Sequence, residues 1–200
     1  MTARDQMLTR VRSALGRSLK DPVPEPPPVR LQVPATSLSD RPAQFTVALT
    51  ALGGQVILPY STEDVREAIK KIVRGRSVVT KETGDVRTAE VGINFADYAL
   101  ADTGSLVFLS ESRESRLISL LPPVHIALIA RKNILSGLDE LFTRVPQPAA
   151  QSSAMALITG PSRTADIEMR LVRGVHGPGE IHVIIVEDVT SSQGDASGET

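Results

Sequence analysis

The chain has 200 residues, 41% of them hydrophobic, which is enough to bury the core of one ordinary globular domain. Its formal net charge of −1 gives no general drive toward nucleic acid or anionic membranes, and the lack of tryptophan disfavours a base-stacking surface. The sequence contains no cysteine, which excludes disulfides, thiolate nucleophiles and cysteine-ligated iron–sulfur clusters within it. It has no apolar signal core and no run near the ~20 residues that span a bilayer, so we expect a cytoplasmic protein without membrane insertion.

Residues 1–20 predict an N-terminal amphipathic helix, running over 3–18. Apolar side chains recur there at intervals near the helical period: Met7, Leu8, Val11, Leu15 and Leu19. The opposite face is basic. Two uses stay open, since the helix can pack on its own domain or serve as a handle for a partner chain or a second protomer.

Proline marks the next boundary. Six prolines fall between Asp21 and Pro34, and proline fixes φ and removes a backbone donor, so residues 21–36 predict an extended linker. Residues 37–189 are expected to form the main α/β domain. Residues 190–200 are small and polar, which predicts a disordered tail.

Within the main domain, apolar runs alternate with polar breaks, glycine and proline. The pattern predicts a helical turn over 94–98, helices at 40–52, 62–74, 112–121 and 133–143, and strands at 55–58, 77–80, 91–93, 100–109, 124–130, 155–158 and 180–186. The strand–helix–strand succession over 55–80 predicts a βαβ unit. The expected fold class is therefore α/β, with a mostly parallel sheet flanked by helices. In the run 164–172, apolar and charged residues alternate, which favours a strand over the alternative of a helix.

Thr103, Gly104 and Ser105 interrupt the predicted strand at 100–109. A glycine inside a strand marks either a bend or a close approach by another group. The triplet is thus either a structural kink or a ligand contact, and it is the first candidate site.

A second candidate site follows the predicted strand at 155–158, at Gly160, Ser162, Arg163 and Thr164. Hydroxyls, backbone N–H groups and a guanidinium at a strand end suit a small anion such as a phosphate or carboxylate. The alternative is a structural loop in which Arg163 pairs with Asp166 or Glu168. Both carboxylates are themselves candidate site residues.

His176, between glycines, is the third candidate. As a general acid or base it needs an orienting partner, Asp166 or Glu168; as a structural residue it would hold the turn. His125 and His182 fall in apolar strands and are expected to be structural. Histidines spread in this way do not predict a metal site.

Three blocks of the sequence resemble the LUD-domain family of lactate-utilisation proteins. They are Ile-Thr-Gly-Pro-Ser-Arg-Thr-Ala-Asp-Ile-Glu at 158–168 with Gly-Val-His-Gly-Pro at 174–178, Ala-Leu-Ala-Asp-Thr-Gly-Ser-Leu at 99–106, and Leu-Pro-Pro-Val-His-Ile-Ala at 121–127. Residues 10–15 also resemble the family's opening helix. Asp102 departs from the family pattern, where glutamate is more usual.

The resemblance implies a fold like that of the glucosamine-phosphate deaminase, ribose-phosphate isomerase and CoA-transferase group. It implies a subunit that acts beside two iron–sulfur lactate-utilisation proteins in oxidising L-lactate to pyruvate, with the clusters in the partners and no cofactor in this chain. No residue receives a catalytic role from it. The missing cysteine and the lack of an evident nucleophile–base pair favour a non-catalytic or partner-dependent subunit. Fold analogy alone leaves a stand-alone enzyme or binding protein for a phosphosugar or acyl-CoA as the alternative.

Overall fold

The computed structural model describes residues 2–16, 18, 36–59, 61–110, 113–148, 152–165, 171–173 and 177–187. The chain divides into two compact units, Met1–Gln32 and Val33–Thr200. The predicted tail at 190–200 and nearly all of the predicted linker at 21–36 lie outside the described residues. Their predicted character therefore stays a prediction.

The described helices are α1 Ala3–Ala14, α2 Arg41–Ala51, α3 Thr62–Val73, α4 Arg113–Ile118 and α5 Leu138–Arg144. The described strands are β1 Gln55–Ile57, β2 Val78–Val79, β3 Val91–Phe95, β4 Tyr98–Leu100, β5 Ser105–Ser110, β6 Val124–Ala130, β7 Ile134–Leu135, β8 Ala154–Ile158, β9 Arg163–Ala165, β10 Leu171–Arg173 and β11 Glu180–Val186. Across the described part of the chain, every helix is too short or too polar to cross a membrane.

The first unit holds α1, which begins with a reciprocal cap. The Thr2 hydroxyl accepts a hydrogen bond from the Asp5 amide at 3.3 Å, and the Asp5 carboxylate accepts one from the Thr2 amide at 2.9 Å. The apolar stripe predicted for this helix is present and exposed, with Met7 60%, Val11 50% and Leu15 66% accessible.

Five parallel strands form the main sheet, in the order β1-β11-β6-β3-β2. This confirms the α/β class with a mostly parallel sheet flanked by helices. The central strands β6 and β11 are seven-residue apolar runs buried along most of their length, as expected for strands covered on both faces.

The predicted strand–helix–strand unit over 55–80 is present as β1, α3 and β2, with both strands in the main sheet. β1 and β2 are parallel, but they lie at opposite edges of the sheet with three strands between them. The reason is burial: β1 and β2 have only three and two residues, so the longer and more apolar strands take the centre.

A second sheet, not separately predicted, has the order β7-β4-β5-β8 and is antiparallel except for the β4–β7 pair. The predicted helical turn from Asn94 is wrong, because Asn94 lies in β3 and its Oδ1 is 2.7 Å from Nε2 of His125. The predicted start of a helix at Asn133 is also wrong. Asn133 ends a 3₁₀ turn and donates to the Asp97 carbonyl at 3.0 Å, β7 follows, and α5 begins at Leu138.

The main domain is layered around the parallel sheet. One sheet face packs on α3 through Ile126 and Ile184, which meet Ile69 and Ile72. The other face packs on α2 and the second sheet, in a cluster that includes Phe45, Leu49, Phe108, Ile129 and Val183. The far face of the second sheet packs on α5. The two sheets and α2 therefore meet along one edge, where the candidate site lies.

Candidate anion-binding cleft

A cleft of about 520 Å³ opens between the segment after α4, the amino end of β11 and the carboxyl end of β8. Its walls come from four stretches far apart in sequence: Leu52, residues 119–120, residues 157–163, and Gly177, Pro178 and Ile181. Ligands of open α/β sheets usually lie at the carboxyl ends of the parallel strands. In this chain the cleft is instead at the amino end of β11, and the carboxyl end of β8, a strand of the second sheet, forms one of its walls.

The loop that follows β8 forms the cleft floor. Gly160 has φ +79°, and a Cβ there would lie 2.8 Å from Cβ of Leu52, so only glycine lets the loop pass this close to the end of α2. The Ser162 amide donates to the Pro178 carbonyl at 2.8 Å and ties this loop to the segment before β11. Gly160 and Ser162, both predicted from sequence, therefore line the same cleft.

Arg163 lines the cleft and is exposed to solvent. One of its guanidinium nitrogens donates to the carbonyl of Leu52, the residue that caps the carboxyl end of α2. A cation at this end of a helix meets the negative end of its dipole and satisfies a carbonyl without a helical partner. This contact holds Arg163 in place. The predicted alternative, a pairing of Arg163 with Asp166 or Glu168, involves two residues outside the described part of the chain and stays a prediction.

Three hydroxyls join the first candidate segment to the cleft. Ser105 Oγ lies 2.8 Å from Thr103 Oγ1 and 2.7 Å from Thr159 Oγ1, and Thr159 lines the cleft. Gly104 has φ +67°, and a Cβ there would lie 2.5 Å from the backbone nitrogen of Leu49. The 103–105 turn thus packs against α2 and contacts the cleft through Thr159 rather than lining it.

The predicted single strand at 164–172 needs correction. Thr164 of β9 pairs with Val172 of β10 in an antiparallel register, so the chain reverses within this run. Asp166, Glu168 and His176, the remaining candidate site residues, lie outside the described residues.

Sequence reasoning missed most of the apolar cleft wall: Leu52, Leu120, Leu157 and Ile181. No local pattern could have identified them, because apolar residues at helix and strand ends are typical of any core. Only the fold brings them together with Arg163. Among the described lining residues, Arg163 is the single formally charged side chain, so the described part of the cleft combines one cation with apolar side chains and hydroxyls.

Two histidines, His125 and His182, lie in the core of the main domain, and burial lowers the pKa of each. His125 is fully buried next to Phe108, at a ring distance of 5.6 Å, and burial lowers its pKa to about 3. Burial also lowers the pKa of His182, against the opposite effect of Glu180 at 3.6 Å. In the described ranges, no three histidine, aspartate or glutamate side chains are grouped to hold a metal ion.

The fold and the cleft define an α/β domain in which the parallel sheet and a second sheet border a groove lined by apolar side chains, hydroxyls and Arg163. Its residues 82–186, from just before β3 to the end of β11, match the LUD domain, and the chain belongs to that family.

Among curated relatives, the chain is similar to "Lactate utilization protein C" of Halalkalibacterium halodurans, with 42% identity over 104 residues that cover 50% of this chain and 45% of the relative. It is similar to the protein of the same name from Bacillus subtilis, with 39% identity over 153 residues that cover 68% of this chain and 64% of the relative. The chain thus spans about half the length of several of the relatives that it matches.

A solved structure shows the same fold. The crystal structure of a DUF162 family protein from Deinococcus radiodurans aligns with a TM-score of 0.58 and 17% identity, covering 75% of this chain and 98% of that protein. At this level of identity the likeness concerns the fold alone.

Proposed function

We propose that this chain acts in lactate utilisation, as a cytoplasmic subunit of an assembly that oxidises L-lactate to pyruvate. The support is membership of the LUD family together with the name shared by its relatives, lactate utilization protein C. The sequence has no cysteine, so iron–sulfur clusters with thiolate ligands would belong to partner proteins, and those partners would carry the electrons.

The cleft is the proposed ligand site of this subunit. The observation that carries this assignment is Arg163, an exposed guanidinium fixed at the end of α2 and beside the Ser162 and Thr159 hydroxyls. A guanidinium binds a carboxylate with paired N–H donors, so lactate or pyruvate has a matching partner there. No step of chemistry is assigned to Arg163, whose proposed role is to bind and orient an anion.

Native purification of the tagged full chain from lactate-grown cells tests the assembly. We expect co-purifying proteins that contain iron and sulfide, identified by mass spectrometry and iron analysis, and lactate-dependent reduction of an added dye by the purified assembly. A chain that purifies without cluster-bearing proteins, or that alone converts a phosphosugar or acyl-CoA, would contradict the proposal.

The role of Arg163 is tested in the same assembly. Arg163→Gln is expected to raise the KM for lactate about tenfold or more, because one charge-assisted carboxylate contact is lost, whereas Arg163→Lys retains part of the affinity. Arg66→Gln is the matched control, since Arg66 is 67% exposed on α3 and does not line the cleft. An unchanged KM in Arg163→Gln would remove the cleft from the proposal.

A further inference from the structure

We infer that the cleft binds a carboxylate with an apolar body larger than that of lactate, a monoanion with an aliphatic or aromatic chain. The inference rests on the proposed function for the location of the ligand site and goes beyond it in the class of ligand. It is carried by the volume of the cleft, the distribution of its polar groups and the position of its exposed leucines.

Volume is the first argument. The cleft measures about 520 Å³, within the range of pockets that enclose drug-sized ligands. A three-carbon acid fills only a fraction of this space and leaves the apolar walls in contact with water. A ligand whose body reaches those walls removes them from water and gains the corresponding free energy.

The polar groups form the second argument. Ser119 Oγ, on one wall, already donates to the Arg116 carbonyl at 3.0 Å, and Thr159 Oγ1 is already paired with Ser105 at 2.7 Å. Among the described lining side chains, Arg163 supplies the cation and several free N–H donors, and Ser162 supplies the neighbouring hydroxyl. A sugar phosphate presents a dianion and several hydroxyls to this single described cation, whereas a single carboxylate is matched by one guanidinium.

The exposed leucines form the third argument. Leu120 is 39% and Leu157 is 42% exposed, and both line the cleft. Grouped exposed apolar side chains mark binding surfaces, whereas single ones are ordinary. Leu157 is fixed by β8, which pairs with β5 at Val107, so this wall is present before a ligand arrives.

The test is binding of a graded ligand series to the purified full chain, measured by calorimetry and ligand-observed NMR. The series is lactate, 2-hydroxyhexanoate, 2-hydroxyoctanoate, octanoate and the neutral octanamide. We expect the dissociation constant to fall roughly fourfold for each methylene that contacts the walls. We expect octanoate to bind at least about tenfold more tightly than octanamide, because only octanoate pairs with the guanidinium.

Three variants separate the two parts of the site. Arg163→Gln should remove the preference for octanoate over octanamide, and Arg163→Lys should restore part of it. Leu157→Ser should weaken the octanoate complex several-fold and weaken the lactate complex much less, because the longer chain makes more of its contacts with this wall. Val47→Ser is the matched control, because Val47 is 72% exposed on α2 and does not line the cleft, and it should change nothing.

Affinity that is independent of chain length, lactate as the tightest ligand, no binding by any member of the series, or an Arg163→Gln variant with full selectivity would each overturn the inference. These outcomes are distinct from failure of the proposed function, which is decided by co-purification with cluster-bearing proteins. A chain that binds long carboxylates but has no such partners would retain the inference and lose the assembly.

Discussion

Gly104 shows how one missing side chain positions a helix against a turn. Its φ of +67° favours glycine, and an added Cβ would lie 2.5 Å from the backbone nitrogen of Leu49, an atom that cannot move without displacing α2. We therefore expect Gly104→Ala to lower the free energy of unfolding by about 3 kcal/mol or more, through strain and overpacking together. Urea denaturation measures this loss.

Gly75→Ala is the matched control for this prediction. Gly75 also has positive φ, +79°, but nothing lies within 4 Å of the added Cβ, so only backbone strain remains and a loss of about 1 kcal/mol is expected. Equal losses in the two variants would mean that the contact with α2 adds nothing to the requirement for glycine at 104.

Glu140 makes stability depend on pH. Arg41 Nη2 lies 3.0 Å from Glu140 Oε2, and the carboxylate also accepts hydrogen bonds from the Ser136 amide at 2.9 Å and from Arg144 at 3.1 Å. Burial raises the pKa of Glu140, but the bonds from Ser136 and the charge of Arg41 together outweigh burial, so the pKa lies below its ordinary value.

The sign of the pH dependence follows from this direction. Because the folded pKa is below the unfolded value of about 4.3, the stabilisation is complete above that value and is lost as pH falls through the folded pKa. Glu140→Gln should lower the free energy of unfolding at pH 7 by about 3 kcal/mol, since it leaves the buried Arg41 cation without an anionic partner. It should also flatten the loss of stability at acid pH. Urea denaturation between pH 3 and 7 checks both. Glu67→Gln is the control, because Glu67 is an exposed i,i+4 partner of Lys71, and it should have the same free energy of unfolding as the parent. If Glu140→Gln also has the parent value, the Arg41–Glu140 pair contributes nothing to stability.

At the scale of elements, length decided which predictions held. The seven-residue strands β6 and β11 were predicted with their observed bounds, because a long apolar run bounded by proline and polar residues has few alternatives. β4 and β7, with three and two residues, are too short to show a period and were read as parts of helices or other strands. Asn94 and Asn133 resembled helix caps, but their side chains bond to His125 and to the Asp97 carbonyl, contacts that only the tertiary fold creates.

The sequence predicted one part of the candidate site and not the other. The loop at 160–163 was predicted because hydroxyls, glycine and a guanidinium behind a strand are rare without a role. The apolar wall was not predicted, because its residues follow α2 and α4 or lie in β8 and β11. The packing of the layers brings these residues together, and no local sequence pattern shows it.

The sequence leaves two uses open for α1, which can pack on its own domain or contact a partner chain or second protomer. A single variant can distinguish them. Val11 is 50% exposed, so Val11→Glu should leave the free energy of unfolding within about 0.5 kcal/mol of the parent. If α1 is the handle, the same variant should lose most of its co-purifying partners, because a buried carboxylate is costly at an apolar contact. Val47→Glu on α2 is the control and should retain them; full retention in Val11→Glu would exclude this use of α1.

At the scale of the whole molecule, the strand order predicts how the fold opens. If 55–79 were a self-contained βαβ unit, β1 and β2 would open together as one local element. They instead lie at opposite edges, each paired with a different strand, so the protection of their amides depends on β11 for β1 and on β3 for β2.

In native-state hydrogen exchange, we expect the amides of β6 and β11 to exchange only by global unfolding, and those of β1 and β2 to exchange earlier and independently of each other. Mutation of Val79, which is 3% exposed beside β3, should therefore speed exchange in β2 without changing β1 beyond the global effect. Exchange of β1 and β2 at a common free energy that is below the global value would show that sequence neighbours, not sheet neighbours, set the local stability of this fold.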